Sequence, residues 1–174
     1  MNVNEEIVKE WLHLCKNHFT IDDINFKVYG KKGGSNYSNI DILAVDKKGH
    51  YYDYEIKWRS VYTIATADKE MLNRLIKQLT RKERVEKIKG IIGNKKYSKI
   101  LITSIIFLGK SKKKRTMHEK FFRDNNIEVV YFEDIITDLI RKIDRKGRYD
   151  SILLQIIRIL KIYNIIQDKQ TVEL

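Results

Sequence analysis

Hydrophobic residues recur at helical spacing at the start of the chain and at strand spacing shortly afterwards. The first pattern predicts an amphipathic helix over residues 4–19, and short apolar and aromatic runs predict strands over 24–29, 40–45 and 51–58. The turn sequence DKKGH joins the last two strands, with Gly49 at the position that requires a positive φ. The sequence therefore predicts a helix followed by three strands, two of which form a hairpin.

The second half of the chain alternates between longer helical patterns and shorter apolar runs. It predicts a long basic helix over residues 68–89 and a buried strand of the parallel type, KILITS, over 99–104. A short helix near 117–124 and a strand over 128–132 follow, and the remainder is predicted to be helical. Because a hairpin would join later strands through helical crossovers, we expect a single α/β domain with a mixed central sheet flanked by helices.

Composition excludes several classes of protein. A chain of 174 residues that is 43% hydrophobic can bury a substantial core, so a disordered protein is not expected. Its single cysteine, Cys15, excludes a disulfide framework and a multi-cysteine zinc site. No run approaches 18 apolar residues and the N-terminus is unlike a secretory signal, so we expect a soluble cytoplasmic protein with no membrane partner.

Positive charge is concentrated in the middle of the chain. The net charge is +12, and residues 69–115 carry 16 basic and 3 acidic side chains, whereas residues 1–68 and 116–174 are close to neutral. Such a field attracts a polyanion such as nucleic acid. The alternative is a solvated, lysine-rich helix. The loop GKSKKKR at 109–115 has the same two interpretations, a phosphate-contacting loop or a solubilising tip.

Three charged residues on the predicted hairpin are candidates for catalysis. Pairing around the turn brings Asp41 opposite about residue 55, and Glu55 and Lys57 share one face of their strand. Two close carboxylates repel each other unless a cation lies between them, and Mg²⁺ favours carboxylates, waters and phosphate oxygens. The backbone carbonyl of Ile56 is a further candidate ligand. The alternative is a surface salt bridge between Glu55 and Lys57, with Asp41 at the start of its strand.

Asp41 followed by Glu55-Ile56-Lys57 resembles the motif of the PD-(D/E)xK nuclease superfamily, with Ile40 in place of the motif's proline. Members usually have α-β-β-β-α-β order, which is the order predicted for residues 4–104. The resemblance covers about 100 residues. It implies a restriction-endonuclease-like αβββαβ core within about residues 4–132, followed by C-terminal helices over about 133–174. It also implies catalysis by Asp41, Glu55 and Lys57 with Mg²⁺, for which Mn²⁺ could substitute.

The resemblance extends to residues outside the hairpin. Such nucleases often add an acidic residue from the first helix, where Glu5 lies at the rim of the apolar face and Glu6 is the second choice. Either could instead simply complement the helix dipole. A glutamine in the helix after the motif, Gln78, is expected near the phosphate or the attacking water. The other candidates for nucleic-acid binding are Lys31, Lys32, Arg59, Ser60, Lys77, Arg81, Lys112, Lys113, Lys114 and Arg115.

The interpretation that follows is a metal-dependent endonuclease acting on duplex or branched DNA, with a Holliday-junction resolvase as one possibility. Cutting both strands would require a two-fold homodimer, and the apolar helix predicted over 150–165 is either a buried element or that dimer interface. Two alternatives remain open from the sequence. One is a catalytically inactive nuclease fold that only binds DNA in repair or recombination, and the other is an RNA-processing nuclease.

Overall fold

The structure, a computed structural model, describes residues 2–29, 35–58 and 69–167. The elements are α1 (Val3–Trp11), β1 (Phe19–Tyr29), β2 (Ser35–Val45), β3 (Tyr51–Lys57), α2 (Lys69–Thr80), α3 (Lys82–Ile92), β4 (Tyr97–Thr103), α4 (Ile105–Leu108), α5 (Lys112–Arg123), β5 (Ile127–Tyr131), α6 (Phe132–Lys142) and α7 (Ile152–Ile162). A π-helical turn, Leu12–Lys16, continues α1.

The described residues contain a five-stranded mixed sheet in which the strands lie in chain order, β1 to β5. Strands β1, β2 and β3 pair antiparallel, and β3, β4 and β5 pair parallel. The hairpin between β2 and β3 turns at Gly49, which has a φ of +79°. The carboxylate of Asp46 accepts hydrogen bonds from the amides of Lys48 and His50 at 2.8 and 2.9 Å. The predicted hairpin and the α/β class with a mixed, helix-flanked sheet are confirmed.

Helices cover both faces of the sheet. On one face α1, α6 and α7 enclose an apolar cluster in which Trp11, Leu139 and Leu154 pack against Ile42 and Ile102. The other face carries α2, α3, α4 and α5. The C-terminal helices therefore share a core with α1 and the sheet. Within the described ranges, no helix has both the length and the apolar character needed to cross a bilayer.

Several element boundaries differ from the prediction, and β2 begins at Ser35 rather than at residue 40. The first helix ends early because Asn17 adopts a left-handed conformation (φ 56°), after which β1 begins at Phe19. The long basic helix is interrupted at Arg81, whose backbone is extended, so α2 and α3 contribute to different apolar clusters. The predicted basic loop is helical from Lys112 onward, because the side chain of Ser111 caps α5 by accepting a hydrogen bond from the amide of Lys114.

Candidate active site

The hairpin register brings Asp41 beside the end of β3. Ile42 pairs with Tyr54, so continuing the ladder by one residue places Asp41 opposite Glu55. The Asp41 side chain bonds to β3 directly, because its Oδ2 accepts a hydrogen bond of 2.7 Å from the amide of Ile56. Its Oδ1 accepts a long bond of 3.4 Å from the Asn39 side chain. Asp41 is only 6% exposed, so the neighbouring strand fixes its carboxylate within the fold.

Strand alternation is interrupted at Asp41. Ile40 and Ile42 are two residues apart and would normally share a face, yet they lie in apolar clusters on opposite faces of the sheet. On the neighbouring strand, Asp23 has a φ of 53°, and the residue pairs on either side of it are Asp22 with Ile42 and Ile24 with Ile40. The register is the same on both sides, so the local backbone conformation, and not an inserted residue, changes the direction of the flanking side chains.

Glu55 lies between two cations. Its Oε1 is 2.6 Å from Lys57 Nζ, and its Oε2 is 2.5 Å from Arg84 Nη1. Arg84 comes from α3 and also holds Asp53, by hydrogen bonds from Nε and Nη2 to the Asp53 carboxylate at 3.0 and 2.6 Å. Asp53, Arg84 and Glu55 are 0%, 2% and 3% exposed. The end of β3 therefore carries a buried ionic network in which every charge has a partner.

Burial raises the pKa of two carboxylates at this point, Asp53, where it outweighs the opposing effect of Arg84, and Asp41. Burial first, and then repulsion from Glu55, raise the pKa of Asp41 to about 7. Burial would lower the pKa of Arg84, but its hydrogen bonds and charge interactions with Asp53 and with Glu55 outweigh burial and raise it. Arg84 is therefore a permanent cation, whereas Asp41 is close to half-protonated near neutral pH.

Sequence analysis missed Asp53 and Arg84. Asp53, Glu55 and Lys57 are two residues apart along β3, and alternate residues of a strand share a face. The sequence therefore places three charged side chains on one face of β3. Arg84 precedes the buried residues Ile88 and Ile92 by four and eight positions, which is the spacing of an inward-facing helical stripe. A basic residue at an apolar position of α3 and an extra acidic residue on β3 were the available signals.

Both acidic candidates of α1 lie in the first turns of that helix. Glu5 Oε2 accepts a bond of 3.5 Å from the amide of Asn2 and forms a capping box with it, because the amides at a helix start lack helical partners. Glu6 lies one residue further along α1 and has a buried, unbonded Oε2. Helix α1 packs on the face of the sheet opposite to Arg84. In the parts of the chain that the structure describes, no three His, Cys, Asp or Glu side chains are grouped as metal ligands.

The predicted nucleic-acid contacts fall into three groups. Lys31, Lys32, Arg59 and Ser60 lie outside the described residues. On α2 and at the start of α3, Lys77 is exposed and Gln78 and Arg81 are half-buried. The third group forms the first turn of α5, where Lys112, Lys113 and Lys114 are exposed and Arg115 Nη1 donates to the carbonyl oxygens of Gly109 and Lys110 at 3.2 Å.

Comparisons with known proteins assign no family. No protein-family model matches the chain, and no match was found among the curated proteins or the solved structures. The chemistry of the site must therefore follow from its own residues and geometry.

Asp41 and Glu55 are the residues that would hold a magnesium ion at this point. Asp41 and Glu55 supply the hard oxygens that Mg²⁺ prefers, and waters or substrate phosphate commonly complete its shell. Both Glu55 oxygens bond to cations, but a carboxylate oxygen has a second lone pair and can accept a further partner. The raised pKa of Asp41 reflects an uncompensated buried charge, which a divalent cation would offset. The role of the Ile56 carbonyl as a third metal ligand stays a prediction. The group of Ile56 that contacts Asp41 is its amide.

Proposed function

We propose that this protein is a metal-dependent nuclease that hydrolyses DNA phosphodiester bonds. The observation that carries the proposal is the approach of Asp41, Glu55 and Lys57 at the ends of two paired strands, with Asp41 bonded to the amide between the other two. The mixed sheet and the helix-strand order are compatible with the restriction-endonuclease-like fold that the motif resembles. That specific fold is part of the proposal.

In this proposal Asp41 and Glu55 hold the metal and Lys57 meets the substrate. A bound Mg²⁺ supplies a water of lowered pKa and offsets charge on the phosphoryl oxygens. The Lys57 side chain is 33% exposed, whereas that of Glu55 is 5% exposed, so Lys57 is the member of the pair that a substrate can reach. Its ammonium group would hold the scissile phosphate or orient the attacking water. Arg84 would fix the rotamer of Glu55 from behind.

Basic side chains near the site would bind the DNA backbone. Helices α2, α3 and α5 pack on the sheet face that carries Arg84, and Lys77 and the Lys112–Lys114 turn present exposed ammonium groups. Contacts to phosphates supply affinity and orientation but no sequence information. This favours a nuclease that selects substrate shape, such as a branched junction, over one that reads a base sequence.

The experiment is a cleavage assay on supercoiled plasmid, a four-way junction, single-stranded DNA and structured RNA, with Mg²⁺, with Mn²⁺ and with EDTA. The proposal requires metal-dependent cleavage that falls about 100-fold or more in the Lys57→Ala variant. Lys48→Ala on the exposed hairpin turn is the matched control and should cleave as the wild type does. Cleavage of RNA alone would instead support an RNA-processing nuclease. No cleavage of any substrate by the wild type would refute the catalytic role.

One observation favours a second candidate, a nuclease fold that binds DNA without cutting it. Both Glu55 oxygens are engaged by Lys57 and Arg84, and within the described ranges no third His, Cys, Asp or Glu is grouped with Asp41 and Glu55 as a metal ligand. Under this alternative, DNA binding would be salt-sensitive, insensitive to EDTA and unaffected by Asp41→Asn. The same preparations used for the cleavage panel distinguish the two candidates.

A further inference from the structure

Helix α7 presents apolar side chains on two opposite faces. Leu154 and Ile157 face inward and join the core beneath α1 and α6. Outward-facing side chains form what we call the α7 patch, whose members and exposed fractions are Ile152 (76%), Ile156 (50%), Ile159 (45%), Ile162 (43%), Tyr163 (72%) and Ile165 (65%). A helix packed on only one side should be polar on the other, so the α7 patch requires an explanation.

The spacing of the α7 patch is that of a helix-pairing seam. Ile152, Ile156, Ile159 and Tyr163 follow one another at intervals of four, three and four residues. This is the 3.5-residue repeat by which two helices pack their side chains into each other's surfaces. Any apolar stripe on one face of an α-helix recurs every three or four residues. The spacing of the α7 patch is therefore compatible with a second helix as the occupant, and charge and area must favour one.

The α7 patch also carries no charge, in a chain that is 33% charged. The two charged residues within α7 are Arg158 and Lys161, and both donate to backbone carbonyls of this chain. Arg158 Nη1 donates to Gly147 O at 2.9 Å, and Lys161 Nζ donates to Ile140 O and Ile143 O at 2.6 Å. A polyanion would gain nothing on this surface, whereas two copies of a chain with net charge +12 could approach each other here without direct repulsion.

The size of the α7 patch suits a dimer. Its six residues expose roughly 650 Å² per copy, which is at the upper end of the largest apolar patches of monomers. Covering it completely in two copies would bury up to about 1,300 Å², which reaches the range of about 1,200–2,000 Å² for specific interfaces.

We propose that the α7 patch is a homodimer interface in which two α7 helices pack antiparallel about a two-fold axis. The seam is symmetric about a point between Ile156 and Ile159. An antiparallel copy therefore places Ile152 opposite the partner's Tyr163 and Ile156 opposite the partner's Ile159. The same pairs recur on the other side of the axis, as an isologous contact requires. This geometry is compatible with a second copy, which the uncharged surface and the size of the α7 patch favour as the occupant.

This inference does not depend on the proposed nuclease activity. Helix α7 lies on the sheet face with α1 and α6, whereas Arg84 and the basic helices α3 and α5 lie on the other face. Dimerisation through α7 would leave the charged faces of both copies accessible. Loss of the dimer and loss of cleavage can therefore be measured separately.

The test is sedimentation equilibrium of the full chain at micromolar concentrations, with circular dichroism to verify folding. The wild type should have twice the mass of one chain, and both Ile156→Glu and Ile159→Lys should have the mass of one. Phe19→Glu is the control, since Phe19 is 72% exposed on β1, away from α7, and the variant should stay dimeric.

An equimolar mixture of the two single variants tests the register. Antiparallel pairing places the substituted position 156 of one copy against the substituted position 159 of the other and leaves Ile159 against Ile156 at the second contact. The mixture should therefore regain the dimer mass, which would support the proposal. A monomeric wild type, a dimer insensitive to either substitution, or a mixture that stays monomeric would each overturn it. A monomeric wild type that binds a different protein through the same residues would do so as well.

Discussion

Replacing Asp41 by Asn should stabilise the metal-free protein while removing metal-dependent activity. Asp41 is 6% exposed and lies beside Glu55, so its negative charge is unfavourable in the folded state. Asn has nearly the same shape, and its side-chain oxygen can still accept the hydrogen bond from the Ile56 amide. The substitution therefore removes the charge and keeps the contact.

The size and sign of the effect follow from the pKa. The pKa of Asp41 is about 7 in the folded protein against a reference value of 3.8, so the folded state holds its proton more tightly. Stability is therefore highest below the unfolded pKa and falls as pH rises towards the folded pKa. At 1.36 kcal/mol per pKa unit, the ionised carboxylate costs up to about 4 kcal/mol at pH 8 and less than about 1 kcal/mol at pH 4. The Asn variant avoids this cost at every pH.

Urea unfolding of both proteins at pH 4, 6 and 8 in EDTA measures the difference. Asp41→Asn should raise the free energy of unfolding at pH 8 by up to about 4 kcal/mol and change it little at pH 4. Asp22→Asn is the control, because it should change the free energy of unfolding at pH 8 in the opposite direction. A hydrogen bond of 2.6 Å from Lys9 lowers the pKa of Asp22, so its charge stabilises the fold above the unfolded pKa and is lost as pH falls. That variant should be less stable than the wild type at pH 8.

Two results would refute this reasoning. If Asp41→Asn raised the free energy of unfolding equally at pH 4 and pH 8, the charge of Asp41 would not be the source of the gain. If it lowered the free energy of unfolding at pH 8, other groups would already compensate the charge of the carboxylate. Repeating the titration with Mg²⁺ in place of EDTA tests the metal itself. Binding to the folded state stabilises by mass action, so Mg²⁺ should stabilise the wild type more than Asp41→Asn.

Three further predictions concern the network and the basic surface. Arg84→Met should lower the free energy of unfolding by about 3–5 kcal/mol in urea titrations, because Asp53 and Glu55 lose their buried partner; an unchanged midpoint would contradict the network. Under limiting Mg²⁺, initial cleavage rates should rise with pH through about 7 as Asp41 ionises, and a flat profile would argue against Asp41 as ligand. Triple substitution of Lys112–Lys114 by Ala should reduce the slope of log binding constant against log salt concentration by up to about 3, as measured by fluorescence anisotropy. An unchanged slope would exclude this turn as a DNA contact.

The sequence predicted the parts of the site that depend on local pairing. Asp41, Glu55 and Lys57 belong to one hairpin, and its short turn fixes the register that brings them together. Arg84 reaches the same point from α3, 29 residues after Glu55. Strand alternation shows that Asp53 is an extra charge on one face of β3, and helical spacing shows that Arg84 occupies an apolar position of α3. Neither pattern specifies which helix packs over which strand.

The position of Glu5 illustrates the same dependence on packing. Helical spacing placed Glu5 at the rim of the apolar face, which is compatible both with reaching the site and with capping the helix. The structure has the cap, because Asn2 and Glu5 satisfy amides at the start of α1. Acidic residues in the first turn of a helix are explained by hydrogen bonds and favourable charge at the helix end. This explanation requires no contact between Glu5 and the sheet.

The ionic network at the end of β3 explains why Asp41 is the residue on which the proposed function depends. Three carboxylates, Asp41, Asp53 and Glu55, adjoin two cations, Lys57 and Arg84, within the ranges the structure describes. The cations form ion pairs with Asp53 and Glu55, although burial still raises the pKa of Asp53, whereas the described contacts of Asp41 are hydrogen bonds from the Ile56 amide and the Asn39 side chain. Buried charge without a partner is costly, and a fold that only needed stability would gain from a neutral residue here. A cation from solution that neutralised the negative charge of Asp41 would explain why a carboxylate is present here, bonded to the Ile56 amide. The Asp41→Asn titration with and without Mg²⁺ therefore tests the stability argument and the functional proposal on the same residue.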